Sequence, residues 1–181
     1  LSGPNLAPEI ARGKVSSATV AFDDPGVVAA AQAILTSAIF RVYTSDDVIG
    51  VELGGALKNI IAIGAGIIDG LELGDNAKAA FLTRGLAEIT RLGVAMGARP
   101  ETFAGLSGLG DLVATCFSGF SRNRYVGEEL AGGRKLDEIR AHMDQTAEAI
   151  PTTQAAVALA RESGVEMPIT QATGQVLFED L

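Results

Sequence analysis

The sequence has no tryptophan, one cysteine (Cys116) and one histidine (His142), and only 5% of its 181 residues are aromatic. A lone cysteine excludes an internal disulfide framework, and a zinc site built from several His and Cys cannot be assembled. A Ser-His-Asp triad would have to use His142, which sits in EIRAHMD among charged residues and reads as an exposed helix position. Basic residues are short as well. Fourteen Lys plus Arg against 22 Asp plus Glu give a net charge of −8, so no long-range positive field draws in nucleic acid or an acidic membrane, and any anion site must be local. The wholly apolar run beside Lys58, IIAIGAGII at 60–68, is too short to cross a bilayer. No GxGxxG occurs between a strand and a helix; the nearest stretch, GAGIIDG at 64–70, has the wrong spacing and belongs to a helix. No secretory leader opens the chain, which together with the single cysteine points to the cytoplasm. The acidic pairs Asp23-Asp24 and Asp46-Asp47 each precede an apolar-periodic segment, where Asp commonly caps a helix, so no metal site is expected.

What the chain does have is apolar residues, at 48%, and 22 glycines, ample for a core of closely packed helices. The first 45 residues differ from the rest. SATVAF (17–22) and FRVY (40–43) are short β-branched or aromatic runs flanking DPGVVAAAQAILTS, which has an Asp cap and Pro25 in its first helical turn. The pattern reads strand, helix, strand. Two strands do not make a stable sheet alone, and the chain opens at LSGPN without Met, so residues 1–45 are expected to be the closing remnant of an α/β domain ahead of an all-helical domain at 46–181. A helix is predicted from Asp46 or Asp47 through Lys58 towards Asp69. A second, from about Asn76 to Met96, places Leu82, Leu86 and Ile89 on one stripe and Arg84, Glu88 and Arg91 on another. Gly97 and Pro100 end it and start a short turn, and further helices are expected near 110–117, 122–131, 135–143, 152–163 and 168–179.

Two local rules are broken. LGGALKNIIAIGAG (53–66) places Lys58 and Asn59 within an otherwise apolar helix, where an unpaired ammonium is strongly disfavoured. Lys58 either snorkels to water along its methylenes or works in a cleft, where desolvation lowers its pKa so that it exchanges a proton near neutrality. Spacing leaves both open: Glu52 and Asn59, seven apart, share a face, and Lys58 lies about 100° from Asn59. In SGFSRNRYVGEELAGG (118–133), a helix capped by Ser121 carries Arg122 and Arg124 in its first turn and Glu128 and Glu129 in its last half. The helix dipole favours the reverse by about 0.3–1 kcal/mol per exposed charge. An anion at the helix start, held by free N–H groups, the Asn123 amide and a guanidinium fork, turns this to advantage; a solvated Arg-rich turn is the alternative. Upstream, GLGDLVATC (108–116) sets Asp111 and Thr115 four apart on one helical face.

SGPN (2–5), GGALKNIIAI (54–63), DGLELGDNAKAAFLTRGLAEITRLG (69–93), GLGDLVATC (108–116) and SRNR (121–124), in this order, resemble the signature blocks of the NAD(P)-dependent glycerol-3-phosphate dehydrogenases, and the resemblance covers nearly the whole chain. It implies a mainly α fold, a multi-helix substrate domain of the 6-phosphogluconate-dehydrogenase C-terminal-like type, preceded by a short βαβ remnant of a Rossmann domain. It also implies NAD or NADP bound mainly by an N-terminal domain upstream, a small phosphorylated three-carbon substrate, and a place in glycerophospholipid and carbohydrate metabolism. By the same resemblance Lys58 is the catalytic proton donor and acceptor, Gly3, Asn5, Lys58, Asn59, Asp111, Thr115, Ser121, Arg122 and Asn123 bind substrate, and Ala7, Arg122 and Glu148 touch the cofactor. The family more often has Ser or Thr where Asn5 stands, and a Glu-Gly pair where this chain has Glu148-Ala149. Neither nucleic-acid binding nor stable membrane insertion is expected, while an uncovered sheet edge leaves room for a homodimer. The isolated chain is expected to bind NAD(P)H weakly and to catalyse nothing measurable. Two other readings stand beside this one. The first is another β-hydroxyacid-type dehydrogenase, in which Lys and Asn are usually a helical turn apart rather than adjacent as Lys58 and Asn59 are. The second is a non-enzymatic helical module for dimerisation or phosphate binding.

Overall fold

The computed structural model describes residues 1–143 and 147–179. A short helix α1 (Ala7–Ala11) precedes strand β1 (Ser16–Ala21), helix α2 (Pro25–Leu35) and strand β2 (Phe40–Ser45). The two strands pair in parallel, Ser16 opposite Phe40 through Ala21 opposite Ser45, with α2 crossing over a small core of Val20, Val28 and Val42. Asp24 caps α2, its carboxylate accepting from the Gly26 backbone N–H at 2.7 Å, so this acidic residue serves the helix end as its position in the sequence suggests. Ser2 adds an antiparallel bridge to Thr19 through paired backbone bonds of 2.9 and 2.8 Å. This lays the next residue against β1: a Cβ on Gly3 would come within 2.8 Å of the Ser17 carbonyl oxygen, and only glycine admits that approach.

The remaining described elements are helical. Helix α3 (Val48–Gly70) is followed by α4 (Gly74–Ala95), α5 (Pro100–Phe103), a π-helical turn (Leu106–Gly110) and α6 (Asp111–Phe117). Then come α7 (Arg122–Ala131), α8 (Leu136–Ala141), α9 (Ala149–Glu162) and α10 (Pro168–Phe178). Of the two acidic candidates it is Asp47 that opens α3. Its carboxylate accepts from Gly50 N at 2.9 Å, Arg99 N at 3.0 Å and the Thr102 hydroxyl at 2.5 Å, which also pins the loop after α4 to the start of α3.

Helix α3 runs through the middle of the fold. Ile60, Ile61, Ala62 and Ala65 pack with Leu82, Ile89, Leu92, Phe103 and Leu112 in one cluster, while Ile63 faces a second formed with Val126, Ile139, Ile150 and Leu177. As a whole the helix has the length and hydropathy of a membrane span, which the apolar run alone did not suggest, but 67% of its most apolar window is buried inside the protein. Apolar residues on nearly all sides here mean a central helix. Its glycines set how near the neighbours come: a Cβ on Gly66 would collide with the Arg124 carbonyl, and one on Gly127 with the Ile63 carbonyl, so α7 lies directly on the α3 backbone.

Three expectations need correction. Glu88, assigned to the polar stripe of α4, is 1% exposed; its carboxylate accepts from the Ile169 and Thr170 N–H groups at 2.8 and 2.7 Å. It supplies α10 with the N-terminal acceptor that its own cap, Met167, lacks. Helix α9 starts at Ala149 rather than near 152, because Pro151 stands in the first turn, where its missing N–H has no helical partner to lose. The helix expected from 110 is preceded by a π-helical turn containing Gly108, where a Cβ would collide with the Phe103 carbonyl.

Candidate active site

Lys58 lies mid-way along α3 with 15% of its side chain exposed. Its ammonium is 2.6 Å from Asp111 Oδ1 and donates to the Thr115 hydroxyl at 3.1 Å; that hydroxyl donates in turn to Asp111 Oδ1 at 3.3 Å. The four-residue spacing of Asp111 and Thr115 on α6 sets both acceptors on the lysine, closing a three-membered ring of side chains. The lysine therefore does not simply snorkel. Burial pushes the Asp111 carboxyl above its ordinary value of 3.8, against the Lys58 ammonium, the Thr115 hydroxyl and the Gly3 backbone.

A cavity of about 330 Å³ opens onto this ring, lined by Ser2, Gly3, Asn5, Glu52, Lys58 and Asp111 among others. The Ser2–Thr19 bridge brings Gly3 and Asn5 here, and Asn5 is steadied by Ser16 Oγ, 2.7 Å from its Oδ1. A larger hollow, about 700 Å³, lies beside α2 and β2; Arg41 is its one charged lining residue, and no predicted site residue reaches it.

On the adjoining side of α3, Asn59 Nδ2 donates to Glu148 Oε2 at 3.3 Å, and Arg122 Nη2 lies 3.8 Å from Glu148 Oε1. Asn123 Oδ1 accepts from the Ala149 N–H at 3.1 Å, leaving its amide N–H groups as the half able to donate to an anion. Ser121 caps α7 through its hydroxyl, which accepts from Arg124 N at 3.2 Å. Two clusters thus meet across the adjacent pair Lys58-Asn59: Gly3, Asn5, Asp111 and Thr115 on one side, Ser121, Arg122, Asn123 and Glu148 on the other. Ala7 stands outside both, exposed at the start of α1. The inverted charges of α7 have two separate causes. Arg122 faces Glu148 at the site, whereas Arg124 turns away to Asp69 at 2.6 Å and Glu128 at 2.7 Å.

The sequence matches the family model for the C-terminus of NAD-dependent glycerol-3-phosphate dehydrogenase over residues 47–181. The chain belongs to the glycerol-3-phosphate dehydrogenase family. It is 56% identical over 180 residues to a glycerol-3-phosphate dehydrogenase [NAD(P)+] of Geobacter sulfurreducens, covering 99% of this chain and 54% of that protein. With the enzyme of the same name from Macrococcus caseolyticus it shares 56% identity over 181 residues, covering 100% and 54%. The crystal structure of glycerol-3-phosphate dehydrogenase from Coxiella burnetii superposes with a TM-score of 0.97 at 44% identity, covering 99% of this chain and 55% of that one. The chain spans about half the length of the curated relatives it matches. Membership of the glycerol-3-phosphate dehydrogenase family decides against another β-hydroxyacid-type dehydrogenase. The adjacency of Lys58 and Asn59, which argued the same way, gives each residue its own cluster. Sequence reasoning assigned no site role to Glu52, although its position two turns before Asn59 on α3 carried the signal, and it did not see that Asp69, Lys78 and Arg124 form a group of their own.

Proposed function

We propose that the intact protein interconverts sn-glycerol 3-phosphate and dihydroxyacetone phosphate with NAD(P)(H), and that Lys58 is its general acid–base. The observation that carries this reading is the Lys58 ammonium held against Asp111 and Thr115 at a cavity floor, one residue from the cluster that contains Arg122 and Asn123. The nicotinamide, when bound, supplies or accepts the hydride at C2. Lys58 donates its proton to the C2 oxygen in the reducing direction and takes it back in the oxidising one, and its charge stabilises the alkoxide that develops there. Asp111 keeps the ammonium in place. Arg122, the Asn123 amide and the first N–H groups of α7 bind the phosphate, fixing the carbonyl at the distance the proton transfer needs.

For the dinucleotide, Arg122 and Glu148, both well exposed, together with Ala7 suit an edge contact. Its pyrophosphate does not fit the strand-to-helix turns of this chain. Asp23-Asp24-Pro25 after β1 and Asp46-Asp47 after β2 present carboxylates where a phosphate needs free N–H groups. The 181-residue chain by itself therefore binds NAD(P)H weakly and has no measurable turnover; reduction of dihydroxyacetone phosphate by purified chain would contradict this. We place the enzyme in the cytoplasm, a reading supported by Cys116, a free and buried thiol.

The deciding experiment uses the full-length enzyme. Lys58→Ala should lower kcat by about two to four orders of magnitude with a much smaller change in KM, and Arg122→Ala should mainly raise KM for the phosphorylated substrate. Equal changes in both parameters from both variants would refute this division of roles.

A further inference from the structure

A second charged cluster lies away from the cavity. Asp69 Oδ2 accepts from Lys78 Nζ and from Arg124 Nε, each at 2.6 Å, and Arg124 Nη2 also meets Glu128 at 2.7 Å. The Lys78 side chain is 6% exposed, and its ammonium sits 4.3 Å from the Phe117 ring centroid. These contacts tie the end of α3, the start of α4, the end of α6 and the first turn of α7. Three of the four helices carry the site: α3 bears Lys58 and Asn59, α6 bears Asp111 and Thr115, and α7 bears Arg122 and Asn123.

Each member of the central pair is misplaced for its own helix. Asp69 stands in the last turn of α3 and Arg124 in the first turn of α7, both against the dipole. Asp69 is satisfied only by neighbouring helices, and Arg124 divides its guanidinium between Asp69 across the interface and Glu128 on its own helix. Asp69 itself is far from the proton-transfer site, since eleven residues of helix, about 16 Å, separate it from Lys58. Burial acts to raise the Asp69 carboxyl, and the hydrogen bonds and charges of Lys78 and Arg124 overcome it and hold it below its ordinary value of 3.8. Gly66 and Gly127 bring α7 onto the α3 backbone, and the side chains that pack there, Ile63 and Ile67 against Val126 and Leu130, are apolar and non-directional, so the polar tie is the directional contact that fixes the register.

We propose that Asp69 is a positioning residue: by tying Arg124 and Lys78 it holds the start of α7, and with it Arg122 and Asn123, in register with Lys58. This rests on the reading of Arg122 as the phosphate grip. The test compares full-length wild-type, Asp69→Asn, Asp69→Glu and Arg122→Ala enzymes on dihydroxyacetone phosphate and on unphosphorylated dihydroxyacetone. For Asp69→Asn, KM for the phosphorylated substrate should rise about tenfold with kcat within about threefold. The kcat/KM for dihydroxyacetone should stay at its wild-type value, and Asp69→Glu should recover part of the loss. A purely structural role would lower the melting temperature and the yield of active enzyme while leaving KM and the preference for phosphate unmoved, and that result overturns the proposal. If Asp69→Asn does not accumulate as folded enzyme, Arg124→Gln, which cuts the same tie from the other side, is read against the same two outcomes. Arg122→Ala separates the levels. Should it leave the phosphate preference intact, the phosphate grip itself is misassigned and the positioning role falls with it; should it abolish the preference while Asp69→Asn does not alter it, only the positioning role fails.

Discussion

Replacing Lys58 with methionine isolates the electrostatics of the site from its catalysis. The ammonium and the Asp111 carboxylate are 2.6 Å apart, with 15% and 7% of their side chains exposed. At an effective dielectric of about 20 their gross attraction is about 6 kcal/mol. Much of that is offset by the desolvation of both groups, and removing one partner from a dry pair costs about 3–5 kcal/mol. Because Lys58 borders an open cavity, a loss of about 2–3 kcal/mol at neutral pH is the expected value here. The loss depends on pH in a definite direction. Burial already holds the Asp111 carboxyl above 3.8, and Lys58→Met removes the largest opposing influence, so it rises further. A carboxyl whose folded pKa exceeds its unfolded one contributes stability that is complete below the unfolded value and is lost as pH rises through the folded value.

Urea unfolding of Lys58→Met should therefore give a stability close to wild type at about pH 4.5 and a clear deficit at about pH 7.5. The double variant Lys58→Met/Asp111→Asn, with no carboxylate left to strand, should be more stable than Lys58→Met at the higher pH and nearly flat between the two. If Lys58→Met loses the same amount at both pH values and the double variant shows no recovery, Asp111 is not the buried partner inferred here.

Two further perturbations test the frame around the site. Glu88→Ala strands the Ile169 and Thr170 N–H groups at the start of α10, which should cost about 1–3 kcal/mol and lower the melting temperature by roughly 2–4 °C per kcal/mol. Glu88→Gln, which keeps an acceptor, should cost less, and an unchanged melting temperature for the alanine variant would refute the cap. At Asp47, burial is overcome by hydrogen bonds from Thr102, Arg99 and Gly50, so its carboxyl is held below 3.8. Its contribution is complete above that value and is lost as pH falls through the lower folded one, and Asp47→Asn should flatten the acid limb of stability against pH. An equally steep limb in the variant would show that Asp47 is not the group titrating.

What could be read from sequence was the chemistry that acts within a few residues. The Asp24, Asp47 and Ser121 caps, the strand-helix-strand run, and the pairing of Asp111 with Thr115 are all local, and each occurs where the residue types indicate. Glu88 was misplaced because a helical stripe reports which face a residue occupies, not which backbone groups 81 and 82 positions later will meet it. Arg124 was taken with Arg122 for the same reason. Two residues apart on a helix they point in different directions, and their partners, Asp69 and Glu148, are far away in the chain. Lys58 is the intermediate case. Its neighbours in sequence left snorkelling and cleft chemistry equally open, and only the fold, by bringing α6 alongside, showed the ammonium to be paired with a carboxylate.

The polar residues of α3 follow from how closely its neighbours approach. A Cβ on Gly54 would come within 2.7 Å of the Ser107 carbonyl oxygen, and Gly66 admits the backbone of α7, so main chain lies against the helix on two of its sides. A polar side chain leaving such a helix meets protein before water and must be satisfied there. Lys58 finds α6, Asn59 finds the start of α9, and Asp69 finds α4 and α7. Each of these three polar residues thus binds a different neighbour, and the same contacts that make burial tolerable fix the placement of α6 and α7 relative to α3. The glycines and the charges therefore act together: without the close approach the charges would be hydrated and free to move, and without the charges α7 would be held on α3 by apolar packing alone, Ile63 against Val126.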